Sequence, residues 1–143
     1  MSEILRGHNF LIRWHDAEQT IIVIEVLDRW TWDNAFYAIS FASKAVRATP
    51  HDVYTIFWFK YEMPRLPDGL ALPKLQELMM MQNPNEQFVF LITRNPLLKV
   101  FLELTSKMYG LNRYLARYRY VAAFENALTL IDKHKNPKPS QVE

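Results

Sequence analysis

Three groups of residues in this 143-residue chain have types and spacings from which chemistry could be built. Glu62 and Asp68 flank a proline-containing loop, "YEMPRLPDG", directly after the aromatic run "TIFWF". Paired carboxylates do general acid–base work when their surroundings push their acidities apart. His15–Asp16 and His51–Asp52 are neighbouring pairs of metal-ligand type, but neither has a third ligand nearby or the i, i+4 spacing of a helical metal site. Asp in such places commonly serves a turn. Arg113, Arg117 and Arg119 interleave with Tyr114, Tyr118 and Tyr120 in "NRYLARYRY". Cations mixed with rings can bind single-stranded nucleic acid. The blander reading has the rings on the sheet and the arginines reaching outward along their apolar stems.

Other chemistries are excluded or left without a motif. The chain has no Cys, which removes thiol catalysis, thiolate metal sites and disulfides. Its three glycines, Gly7, Gly69 and Gly110, stand far apart, so no phosphate-cradling loop exists. Ser40, Ser43 and Ser106 fall in helical segments, and no serine has a nucleophile-elbow context. A hydrolase would need Glu62, Asp68 and a nearby His to converge on one cleft. His51, the best base available, precedes the strand whose far end carries Glu62, which predicts opposite ends of the sheet. The residues read as non-enzymatic, with no cofactor and no metal.

The elements that position these groups follow from hydrophobic patterning. Half the chain is apolar and 14% aromatic, with a net charge of +2. That is a packed globule without the dense basic field of a duplex-binding domain, so nucleic acid is not an expected partner. "NFLIRWH" and "TIIVIEVL" read as a hairpin joined by "DAEQ". Thr31 caps a helix whose stripe is Trp32, Ala35, Phe36, Ile39, Ala42 and Val46. "VYTIFWFKY" is a strand apolar on both faces, and a helix starts near Pro73. "QFVFLITR" is the next strand. Asn95 and Pro96 cap and open a helix that Gly110 ends. "YRYVAAF" and "ENALTLIDKH" close the chain as strand and helix. The order ββαβαβαβα predicts an α/β domain with a mostly parallel sheet and one antiparallel edge from the opening hairpin.

The aromatic load carries its own expectation. Trp14, Tyr54, Phe57, Trp58, Phe59 and Tyr61 sit on strands with two apolar faces. If helices covered one face only, the other would need a partner, and Tyr54, Phe57, Trp58 and Phe59 are the expected interface. The Met cluster "LMMMQ" suits core packing. The opening "MSEILRGHNF" lacks the features of a signal peptide, and no apolar run reaches the roughly 18 residues of a membrane span. A soluble, cytoplasmic protein is expected, with residues 1–135 as one domain and residues 136–143 as a flexible tail.

The layout resembles the STAS domain, named for sulfate transporters and anti-sigma factor antagonists. The opening strand pair, the helix "WTWDNAFYAISFASKAV" and the ending "YGLNRYLARYRYVAAFENALTLI" carry the likeness. The resemblance covers the layout of residues 9–135, mostly at structural positions. It implies a right-handed βα superhelix and a non-enzymatic interaction or small-ligand module, which in well-known members is switched by phosphorylation of a Ser or Thr after the central strand. Here that place, "FKYEMPRLPDGLALPKL", holds no Ser or Thr, so the charge that phosphate would bring cannot be added there in the usual form. The closing helix also lacks the Ser or Thr cap more typical of the family.

The expected function is therefore a regulatory protein-interaction module, a homodimer, without the phospho-switch. Its binding residues are expected at Tyr61, Glu62, Met63, Arg65, Leu66 and Asp68 in the strand-end loop, with Arg94 and Asn95 at the next strand end. The alternatives are a carrier of a small apolar or lipid ligand, holding a cavity of a few hundred cubic ångströms, and the hydrolase considered above.

Overall fold

A computed structural model describes residues 2–62, 67 and 71–137. The chain runs β1 (Ser2–Arg6), β2 (Phe10–Trp14), β3 (Ile21–Val26), α1 (Trp32–Arg47), β4 (Val53–Phe59), α2 (Ala71–Met79), β5 (Glu86–Ile92), α3 (Pro96–Tyr109), α4 (Asn112–Leu115), β6 (Tyr118–Tyr120) and α5 (Phe124–Lys135). All six strands form one sheet in sequential order β1-β2-β3-β4-β5-β6. The first three are antiparallel neighbours, and from β3 onward each strand is parallel to the last.

The α/β class and the mixed sheet agree with the sequence reading, with two additions. β1 pairs with β2, so the antiparallel edge is β1 and the expected hairpin lies one strand inside it. Its sequence, SEILR, is held by pairing to a neighbour and has too little apolar alternation to announce itself. The one-turn helix α4 is the second addition, filling the turn between α3 and β6.

The helix ends are local chemistry. Thr31 accepts from the Asn34 amide while the Asn34 side chain accepts from the Thr31 amide, a reciprocal cap that starts α1. Asn95 accepts from the Leu97 amide at 2.9 Å, and Pro96 occupies the first turn of α3. Gly110, at φ 67°, ends that helix in the left-handed region, where a side chain would be strained. α5 has Ala123 at its cap position and no side-chain cap bond.

Strand alternation divides the core in two. One cluster joins Ile12, Ile22, Ile24, Val53 and Leu91 of the sheet to α1, α2 and α3. The other joins Val23, Tyr54, Ile56 and Phe90 to Ala127 and Ile131 of α5. The three crossover helices therefore share one face and the closing helix covers the other. The α1 stripe is buried at Trp32, Ala35, Ala38, Ala42, Ser43 and Val46, whereas Phe36, expected inside, is 42% exposed. Ala38 takes the inward position because a 3.6-residue period turns Phe36 away from the helix centre line.

This arrangement answers the aromatic load. Tyr54 and Trp58 lie under α5, with Trp58 stacked on Phe124 at a centroid distance of 4.7 Å. Phe57 and Phe59 pack in the first cluster. Of the four rings expected at a partner interface, Tyr54 is buried and Trp58 partly buried under α5, while Phe57 and Phe59 are partly buried on the face of α1–α3.

Candidate functional site

Parallel neighbouring strands bring the β4 and β5 ends together, as the sequence predicts for Glu62 and Arg94. The Glu62 carboxylate accepts from the Thr93 hydroxyl at 2.8 and 2.9 Å and from the Arg94 amide at 3.1 Å. Asn95 is occupied by capping α3. Tyr61 is half-buried beside Glu62, and its amide donates to the Val26 carbonyl. Pro67 accepts from the Trp32 indole at 3.1 Å. Met63, Arg65, Leu66 and Asp68 lie outside the described residues, as does the tail from residue 138 onward.

His51 and Glu62 are not brought together. His51 shares a hydrogen bond of 2.9 Å with the Gln19 carbonyl, before β4 begins, while Glu62 follows the other end of that strand. Asp16 serves its turn, accepting from the Thr20 and Ile21 amides. Among the described residues no group of three or more His, Cys, Asp or Glu side chains is placed to hold a metal ion. No helix among them is long and apolar enough to cross a membrane.

The arginine–tyrosine segment is used internally. Arg117 donates to the carbonyls of Asn83 and Glu86 at 3.2 and 2.9 Å. Arg119 lies 4.5 Å over the Phe88 ring, and Arg113 stacks on Tyr114. Arg117 is thus turned onto the protein itself, which differs from the outward reach of the blander reading.

Two buried glutamates, one on each face of the sheet, are the main polar features of the interior. Glu25, in the middle of β3, is 3% exposed. Arg13 on the neighbouring strand donates to it at 2.8 Å, and Lys60, just past β4, pairs with its other oxygen. Burial pushes this carboxyl upward, but hydrogen bonds and charge from Lys60 and Arg13 outweigh burial and hold it below the usual range. Rings seal the site. Lys60 sits 4.4 Å over Trp58, and the Arg13 guanidinium is 5.8 Å from the Phe124 centroid.

Glu86, at the start of β5, is 7% exposed on the face that carries α1–α3. Its carboxyl accepts from the Thr55 hydroxyl at 2.7 Å and from the Asn83 amide at 2.9 Å. Burial raises its pKa, and those neutral donors and the charge of Arg117 offset it only in part. The turn before it is clamped by α1: Asn83 donates to the Ser43 carbonyl and hydroxyl at 3.0 and 3.1 Å, and Ser43 donates to the Met81 carbonyl at 3.1 Å.

That clamp sets one wall of a cavity of about 100 Å³ between the sheet and the helices. Ile24, Phe57, Met79 and Leu91 line its apolar body, and Ser43, Thr55, Gln82, Glu86 and Tyr118 gather at the polar positions. The Gln82 Nε2 atom is buried without a hydrogen-bond partner among the described residues. Burial, then the neighbouring Glu86 charge, pushes the Tyr118 phenol well above its ordinary value. The cavity is smaller than the few hundred cubic ångströms expected of a carrier, but the interior is not filled. Sequence reasoning missed this site because its residues come from six elements and the turn after α2, with no shared spacing.

The outer surface of α3 is the remaining feature. Leu97, Val100, Leu104 and Met108 recur at three- and four-residue spacing and are 39%, 47%, 42% and 63% exposed. No protein-family model matches the sequence, and neither the curated proteins nor the solved structures compared with it contain a match.

Proposed function

We propose that this chain is a small, non-enzymatic interaction module of STAS-like type that docks a second copy of itself through α3, with no phospho-switch. The observation that carries this reading is the α3 row. Four aliphatic side chains on adjacent turns face water, where contiguous apolar surface marks an interaction site. The flank of the same helix carries Lys99, Glu103 and Lys107, alternating in sign at four-residue spacing. An antiparallel two-fold pairing offset by one turn sets Lys99 of one copy beside Glu103 of the other, a self-complementary arrangement. The sequential parallel strands, with α1–α3 on one face, support the STAS-like part of the reading. The absence of Ser and Thr after β4 supports the lack of a switch.

Light scattering during size-exclusion chromatography tests the docking, comparing wild type with Leu104→Asp. The expected result is a dimer that becomes a monomer with an unchanged circular-dichroism spectrum. A wild-type monomer at the highest soluble concentration would contradict it. Replacing a side chain that is already exposed should leave the fold intact, since surface changes away from packed features usually cost within about 0.5 kcal/mol.

A further inference from the structure

We propose that the outer edge of β1 is a second docking surface, which pairs antiparallel with β1 of another copy of this chain. This inference does not rest on the α3 surface.

Three observations carry it. The first is that the two edges of the sheet are treated differently. β1 and β6 are its outermost strands. At β6 the Arg119 guanidinium donates to the carbonyls of Ala116 and Tyr118 at 2.7 and 2.8 Å, so part of that edge is occupied from within the chain. β1 pairs with β2 on one side only, and an open strand edge offers a row of main-chain donors and acceptors to a further strand.

The second is the charge pattern. Read antiparallel about a two-fold axis between Ile4 and Leu5, the segment "EILR" is its own complement. Glu3 falls opposite Arg6 of the other copy, and Ile4 opposite its Leu5. A regular strand would spoil this match, because residues three apart point to opposite faces. The irregularity in β1 between Glu3 and Leu5 removes that conflict. Glu3 is in register with Arg13 and Arg6 with Leu11, which share one face of β2. Arg6 Nε accordingly reaches both Glu3 carboxylate oxygens, at 3.2 and 3.1 Å. Four charges of alternating sign therefore line one face of the joint, and the two Ile–Leu pairs line the other.

The third is an unfinished apolar rim. Ile4 and Leu5 are only partly buried against the α1–α3 cluster, as are Phe41 and Ala45. Phe41 and Ala45 lie on the flank of α1 that also carries Asn34, whose side chain meets Asn9 between β1 and β2. Tyr37 stands edge-on to Phe41 at 5.0 Å and is 58% exposed. A second β1 brings its own Ile4 and Leu5 to this rim, and each copy covers the other.

A joint of one short strand is weak, with an expected Kd of about 0.1–1 mM, so it forms above the concentrations of a sizing column. NMR on the full chain carrying Leu104→Asp, which removes the α3 contact, tests it by dilution from about 1 mM. The amide shifts of Glu3, Ile4, Leu5 and Arg6 are expected to follow one saturable curve. Glu3→Arg and Arg6→Glu, added singly, each set like charges opposite one another twice across the axis and should weaken self-association about tenfold. An equimolar mixture of these two should recover it, because each then supplies the charge that the other lacks. The inference is overturned by any of three results: no saturable movement of the β1 amides, self-association unchanged in both charge variants, or a mixture no tighter than either variant alone. The same dilution of wild type reports the β1 amides without any substitution. A monomeric wild type on the sizing column would remove the α3 reading and leave this one standing.

Discussion

Glu25 and Glu86 are two glutamates buried to nearly the same depth, in one sheet, with opposite acidities. Glu25 is 3% exposed and Glu86 is 7% exposed. Glu25 is held between two cations under a roof of Trp58 and Phe124, and its pKa is lowered. Glu86 is held by a hydroxyl and an amide beside a cavity, and its pKa is raised. Depth of burial therefore does not decide the charge state, and the partners do. The face under α5 has its carboxylate matched by cations and its rings stacked, and there too one polar atom, His15 Nδ1 beside Phe124, is buried without a partner among the described residues. The face under α1–α3 keeps a carboxyl held mainly by neutral donors, an orphaned amide and open volume.

The largest effect should come from breaking the matched side. Glu25→Leu removes the acceptor that Arg13 and Lys60 share, and removing one partner of a buried pair costs several kcal/mol, here about 3 kcal/mol because Lys60 can turn to solvent. Urea unfolding monitored by Trp fluorescence reads this directly. A loss below about 1 kcal/mol would mean that the pair contributes no more than a surface ion pair.

The pH dependence separates the two residues by sign. The folded-state pKa of Glu25 is depressed, so its stabilisation is present above the unfolded value and is lost as pH falls through the folded value. The folded-state pKa of Glu86 is elevated, so its contribution is complete below the unfolded value and is lost as pH rises through the folded one. Relative to wild type, Glu86→Gln should therefore gain stability as pH rises from acid toward neutral. A parallel pair of stability curves would contradict this.

The smallest effect should be that of Glu86→Gln itself at low pH. With the carboxyl neutral in both comparisons, the amide oxygen still accepts one of the two bonds, and the change should stay within about 1 kcal/mol. A loss as large as that of Glu25→Leu would show that Glu86 is a structural ion and would erase the contrast.

Much of the fold was legible because its signals are local. Thr31, Asn95, Pro96 and Gly110 each fix a helix end through atoms a few residues away, and β3 to β5 announce themselves as apolar runs. The adjacency of Glu62 and Arg94 followed from parallel strand order alone. β1 was not legible, since an edge strand with Glu3 and Arg6 is defined by the neighbour it pairs with. The crossing of α5 to the far face was not legible either. Nothing in "ENALTLIDKH" says which side of the sheet its apolar stripe will meet, and that choice buried Tyr54 and partly covered Trp58. The cavity residues Ser43, Thr55, Gln82 and Tyr118 looked like a helix serine, a strand threonine, the end of a Met run and part of a basic cluster. Glu25 did leave a signal, as the lone charge in the apolar run "TIIVIEVL", and such a residue in a central strand requires a cation on the same face.

Site-resolved NMR titration of the Glu25 and Glu86 side-chain carboxyl carbons tests the contrast most directly. Glu25 should titrate below the ordinary carboxylate range and Glu86 above it. The reverse order of the two midpoints would contradict the account that partners, and not depth of burial, set the two charge states.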